Sequence, residues 1–110
     1  FIVSNCDSGY IEIFLEVQDM ARCFRGHACP GDTGLDKAGN IRRVLAEAGN
    51  PRAFYLGDTD GDERAARLAG IPFVHAAYGF GRAERPDAVL ERFSDLPALA
   101  AELFSSPLFG

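Results

Sequence analysis

The sequence predicts a parallel α/β sheet of the Rossmann type. Short apolar runs at residues 1–3, 53–56, 72–76 and 88–90 alternate with stretches of helical periodicity, the order expected of a parallel sheet with crossover helices. Two of the runs end in polar loops, Ser4-Asn5 and Gly57-Asp58-Thr59-Asp60-Gly61-Asp62. In such sheets ligands collect at the carboxyl ends of strands, where loops and helix N-termini converge.

Phe1-Ile2-Val3 reads as a buried strand that stops at a polar turn. Residues 9–18 set Ile11, Phe14, Leu15 and Gln18 at helical spacing, and Ile13 and Val17 widen the apolar face. Residues 19–35 read as loop, with a short strand around residues 22–24 and with Pro30-Gly31 and Gly34 as punctuation. Asp36 is the expected N-cap of a helix through Ala48, whose Ile41, Val44, Leu45 and Ala48 follow i, i+3, i+4, i+7. Gly49 and Pro51 stop it. After the second strand, residues 60–69 form a small-residue helix closed by Gly70. A third strand at 72–76 leads to a flexible Gly79-Phe80-Gly81. Ala88-Val89-Leu90 is an edge strand, and Leu96, Leu99, Ala100 and Leu103 stripe a last helix capped by Ser94 or Asp95.

The 110 residues amount to one small domain or a piece of one, with 47% hydrophobic and 25% charged residues. Net charge is −5 and the eleven Lys and Arg residues are scattered, so no basic face for nucleic acid is expected. Three cysteines, Cys6, Cys23 and Cys29, form neither a disulfide framework nor a C-x-x-C pair, which favours reduced thiols in a cytoplasm. No apolar run approaches the roughly 20 residues that span a bilayer, and residues 1–15 lack the basic region of a signal peptide. The chain opens on Phe1-Ile2-Val3, as if inside a strand; the expectation is a partial sequence.

The loop at 57–62 concentrates chemistry. Three carboxylates within five residues cost free energy unless a cation compensates them. An EF-hand also opens Asp-x-Asp-x-Asp, but its sixth position here is Glu63 and its twelfth Ala69, where Gly and a bidentate Glu are required. The plain structural alternative has Asp60 capping the helix and the other carboxylates solvated.

Taken in order, Phe1-Ile2-Val3-Ser4-Asn5, Gly34-Leu35-Asp36-Lys37 and Gly57-Asp58-Thr59-Asp60-Gly61-Asp62 resemble the second, third and fourth motifs of the haloacid dehalogenase-like (HAD) superfamily. Residues 65–71 continue much as in its phosphoglycolate-phosphatase-like members. The resemblance covers nearly the whole chain and implies a three-layer Rossmann-like core. Residues 1–110 would be the C-terminal part of that single core domain, without a cap. It implies Ser4, Asn5 and Lys37 as phosphate-binding residues, with Ser4 and Lys37 catalytic. Asp58 would be a direct ligand of Mg²⁺ and Asp62 a holder of its water. The doubly acidic loop favours a phosphatase of small phosphorylated metabolites over the metal-free dehalogenases, the phosphonatases and the mutases. A noncatalytic binding domain on the same fold is the alternative from another class. A response-regulator receiver domain is disfavoured, because its acidic cluster precedes its Lys.

The resemblance also implies an absence. No Asp-x-Asp-Gly-Thr nucleophile strand occurs in residues 1–56, and in the family that strand is central, between the strand ending at Ser4 and the strand ending at Leu56. Those two strands would then lose backbone partners along one edge, leaving the chain marginally folded or pairing them with each other. The interval from Asn5 to Lys37 is too short for a large cap, so substrate choice and oligomeric state stay open. His27 and His75 have no evident acidic partner, and Cys6, Arg82 and Arg85 read as packing or solvated residues. Residues 78–81 read as a turn on the rim of the site.

Without a nucleophile, the pure chain is expected to release no phosphate from p-nitrophenyl phosphate in the presence of Mg²⁺. A colorimetric assay checks this, and Mg²⁺-dependent turnover would contradict it.

Overall fold

A computed structural model describes residues 1–79 and 81–107. It is α/β with parallel strands throughout, and its sheets are partial: one of two strands and one of three. The chain divides into two compact units, residues 1–50 and 51–110.

In the first unit, β1 (Ile2–Val3) pairs in parallel with β2 (His27–Ala28), with Ile2 opposite His27 and Val3 opposite Ala28. Between them run α1 (Tyr10–Val17) and a 3₁₀ turn at Ala21–Cys23. The strand expected at 22–24 is this turn, and the true partner strand lies a few residues on. A one-turn helix α2 (Pro30–Thr33) takes the place of the expected Pro-Gly loop, with Pro30 at a first-turn position where its missing N–H costs nothing. Helix α3 (Lys37–Glu47) packs on both strands. Its N-cap is the expected Asp36, whose side chain accepts the Gly39 N–H at 2.8 Å.

The core of this unit is Ile11, Leu15 and Cys29, with Ile2, Cys6, Met20 and Phe24 packed on it. The apolar face of α1 is wider than its buried stripe: Tyr10, Ile13, Phe14 and Val17 are 64%, 60%, 47% and 72% exposed.

In the second unit, β3 (Tyr55–Gly57), β4 (Phe73–Ala76) and β5 (Ala88–Leu90) form a parallel sheet with β4 central. Central position explains why β4 is apolar on both faces, with Phe73 and Val74 fully buried. The register sets Gly57 opposite His75 and Ala76 opposite Leu90. Helix α4 (Asp60–Ala69) packs on β3 and β4, and its buried face is small, Ala65 and Ala66. Helix α5 (Leu96–Phe104) buries Leu103 against Val74 and Leu90. Asp95 stands at the cap position of α5 as expected but makes no side-chain cap bond.

The anticipated pairing of the Ser4 strand with the Leu56 strand is not what forms; β1 takes β2 as its partner and β3 takes β4. Phe80, in the stretch read as flexible, lies outside the described residues. Among the described residues no helix is long and apolar enough to cross a membrane.

Asp87 locks the start of β5 to β4. Its Oδ2 accepts the Phe73 N–H at 2.8 Å and an Arg67 guanidinium N–H at 2.6 Å, while its own N–H donates to the Phe73 carbonyl at 2.8 Å. Desolvation pushes the Asp87 carboxyl up, but those hydrogen bonds and the Arg67 charge outweigh it, and the group sits below its usual range. A carboxyl depressed by folding contributes stability that is full above its unfolded pKa, near 4, and is lost as pH falls through that region. Asp87→Asn should therefore flatten the loss of stability on acidification below about pH 5, as read by urea unfolding across pH.

Candidate functional site

The expected site residues fall on both units. Ser4 and Asn5 follow β1, and Lys37 opens α3, all in the first unit; Asp58 and Asp62 stand at the end of β3 and the start of α4, in the second.

Ser4 is half-buried, Asn5 exposed. The Ser4 N–H donates to the Ala28 carbonyl at 3.2 Å, so the strand ladder itself fixes the point at which the chain turns. Ser4 borders an apolar groove of about 360 Å³ lined by Ile2, Cys6, Tyr10, Ile11 and Phe14. Cys6 lines this groove as well as packing on the core.

Lys37 is delivered by a buried polar staple that sequence reading missed. Asn40 is fully buried on α3. Its Oδ1 accepts the Thr33 hydroxyl at 2.6 Å, and its Nδ2 donates to the Leu35 carbonyl at 3.4 Å. Thr33 Oγ1 in turn accepts the Leu35 N–H at 3.1 Å. The turn that precedes Lys37 is thereby tied to the helix Lys37 begins. A buried amide must find partners, so an Asn in the apolar stripe of a predicted helix was the available signal.

Local hydrogen bonds organise the acidic loop. Thr59 is the N-cap of α4: its Oγ1 accepts the Asp62 N–H at 3.1 Å, and Asp62 Oδ2 reaches back to the Thr59 N–H at 3.2 Å, a capping box. The cap is Thr59 rather than Asp60. The same Oδ2 accepts the Asp58 N–H at 3.1 Å. Asp62 is buried, Asp58 half-buried and Asp60 exposed, with Arg64 3.5 Å from Asp60. The structure therefore brings Asp58 and Asp62 together and sends Asp60 outward. Beneath them, burial and the charges of Asp62 and Asp58 hold the Tyr55 hydroxyl protonated far above its ordinary range.

Two close approaches build the wall of this loop. A Cβ on Gly57 would lie 2.6 Å from Asp62 Cβ, and one on Gly79 would lie 2.3 Å from Asp58 Cβ. Gly81 is held as tightly, 2.4 Å from the Asp58 carbonyl on the same measure. Only glycine lets the chain after β4 lie directly on the loop after β3. His75, read as a strand residue, also has a task here: its Nε2 stands 3.2 Å from the Asp58 carbonyl oxygen.

His27 does have an acidic partner, contrary to expectation. Its Nε2 is 3.3 Å from Glu12 Oε1, and with Asp32 the donor atoms lie within 4.8 Å of one another. Asp32 is held by the Ser8 hydroxyl and, at 3.3 Å, by the Cys29 thiol, and those two hydrogen bonds depress its carboxyl. Burial pushes the Cys29 thiol up. All three cysteines are free thiols.

No protein-family model matches the chain. Its sequence is similar to phosphoglycolate phosphatases of Salmonella choleraesuis (strain SC-B67) and Salmonella typhimurium (strain LT2). Each is 29% identical over 109 residues covering 89% of the chain and 43% of the relative. The chain thus spans less than half the length of the curated relatives it matches. Its fold is similar to a Clostridium difficile protein assigned as a phosphatase, with a TM-score of 0.77 at 22% identity over 89% of the chain and 51% of that structure. A hydrolase of the haloacid dehalogenase-like family from Streptococcus pneumoniae gives 0.74 at 22% identity, over 89% and 49%.

Gly79→Ala is expected to destabilise the chain by about 1–3 kcal/mol, since backbone or Asp58 must move. Gly61→Ala, whose Cβ would meet nothing closer than 3.6 Å in the first turn of α4, should instead stabilise by about 0.5–1 kcal/mol. Urea unfolding of the two variants checks the pair.

Proposed function

With its sequence relatives and its fold both supporting the haloacid dehalogenase-like superfamily, phosphoglycolate-phosphatase-like, we propose that this chain is part of a Mg²⁺-dependent phosphomonoester hydrolase acting on a small phosphorylated metabolite. The observation that carries the reading is the Gly57–Asp62 loop, in which hydrogen bonds to Asp62 fix the backbone at Asp58 and Thr59.

The donor set suits the ion. Asp58 and Asp62 offer hard carboxylate oxygens at a strand end, and Mg²⁺ is commonly held by one or two carboxylates with waters completing its octahedron. In this reading Asp58 is the direct ligand and Asp62 holds a coordinated water. Bound there, the ion would neutralise charge on the phosphoryl group.

This chain's own residues do the rest of the positioning. The Ser4 hydroxyl and the Asn5 backbone N–H donate to phosphoryl oxygens. Lys37 supplies a compact positive charge for the phosphate and for the attacking carboxylate. That carboxylate, which accepts the phosphoryl group as an aspartyl-phosphate before water releases it, belongs to a segment outside these 110 residues. We place the enzyme in a reducing cytoplasm, in keeping with its three free thiols.

Mg²⁺ titration of the chain, followed through backbone amide shifts, tests the reading. Saturable shifts at Asp58, Thr59 and Asp62, weakened at least about tenfold in Asp58→Asn, are the expected result. Shifts absent from this loop, or unchanged in the variant, would remove the metal site and the function built on it.

A further inference from the structure

We infer that Glu63 is a positioning residue for Asp58, acting through the segment that follows β4; the inference rests on the proposed role of Asp58 as a metal ligand. Glu63 lies in the first turns of α4, next to Asp62, and is 7% exposed. A carboxylate buried to that degree is costly unless hydrogen bonds satisfy it. Both of its oxygens are used, and both by backbone: Oε1 accepts the Glu84 N–H and Oε2 the Arg85 N–H, each at 2.9 Å.

A carboxylate that grips two successive backbone N–H groups fixes where a chain runs, because the two acceptors define a direction as well as a point. Glu63 holds residues 84 and 85. A few residues earlier, Gly81 lies on the Asp58 carbonyl and on Thr59, and Gly79 lies on the Asp58 side chain. The chain after β4 is thus attached to one loop–helix junction at two places, at Asp58–Thr59 and one turn further along α4. The second attachment holds the first in place. If Glu63 let go, Gly79 and Gly81 could lift from Asp58, and its carboxylate would gain rotamers that the wall now denies it.

The sequence gives no hint of this from Glu63 itself, since its partners are 21 and 22 positions away. Two neighbouring arginines pair with other carboxylates: Arg64 faces Asp60, and Arg67 faces Asp87 while also donating to the Arg85 carbonyl, a further tie on the same segment. The grip on backbone is therefore not a by-product of a surface ion pair.

Glu63→Leu and Glu63→Gln in the 110-residue chain test the inference, with amide hydrogen exchange and Mg²⁺ affinity both measured under conditions where the variant is folded. Leucine keeps the bulk and removes both acceptors. Glutamine keeps one acceptor oxygen and serves if the leucine variant fails to fold. The expected result is faster exchange at Glu84 and Arg85 and also at Asp58 and Thr59. With it goes a Mg²⁺ dissociation constant raised about 10–100-fold by leucine and less by glutamine. Faster exchange confined to residues 84 and 85, with Asp58, Thr59 and the Mg²⁺ affinity unmoved, would make Glu63 an anchor of its own loop and overturn the proposal. Should the unaltered chain bind no Mg²⁺, the metal reading falls, and exchange at Asp58 and Thr59 alone still decides whether Glu63 positions them.

Discussion

Asp62 turning its carboxylate back on the chain that precedes it is the contact on which the second unit is arranged. A single oxygen takes the N–H groups of both Asp58 and Thr59, while the Asp62 N–H is held by the Thr59 hydroxyl. That closes the first turn of α4 and turns the chain sharply away from β3. It also resolves a problem that the composition of the loop creates. Three carboxylates so close in sequence would repel one another, and the fold separates them by environment. One is spent on backbone donors at a helix N-terminus, where the macrodipole favours negative charge. One is sent into solvent beside Arg64. The third, Asp58, is left at the strand end between them.

The first unit solves a related problem with a neutral group. A lysine at the first position of a helix meets the positive end of the macrodipole, and the preceding turn sets where it stands. Asn40 sets that turn by taking the Thr33 hydroxyl and giving an N–H to the Leu35 carbonyl, with Asp36 capping the helix. In both units the residue proposed for the chemistry is half-buried, and the residue that fixes its surroundings is buried. Precision at the surface is obtained from polar groups that are not at the surface.

The elements legible in the sequence are those whose cause is local. Asp36 capping α3 and the apolar run of β4 between turn residues each depend on a few neighbouring positions, and the structure has both as read. Strand β2 was missed because two residues carry no periodicity. Its place was given to Arg22–Phe24, where the apolar Phe24 instead tucks into the core from a 3₁₀ turn. The candidate site divides along the same line. Its acidic loop and its lysine stood out by residue type and order. The partners that hold them did not, because a glycine lying on a carbonyl, a glutamate gripping a distant backbone and a histidine reaching Asp58 are tertiary events. The breadth of the α1 apolar stripe misled in the other direction, since helical spacing says which residues share a face and not whether anything covers it.

That uncovered face has a consequence for how the chain behaves in bulk solution. Tyr10, Ile13, Phe14 and Val17 give water a patch of hydrocarbon on one side of an otherwise acidic molecule, whose net charge is −5. Mutual repulsion keeps such molecules apart at low ionic strength, where the Debye length is long. Salt shortens that reach and, when the anion is sulfate or phosphate, strengthens the apolar attraction at the same time. Colloidal stability is thus set by two opposed forces that respond to the same solute, and the buffer becomes a structural variable.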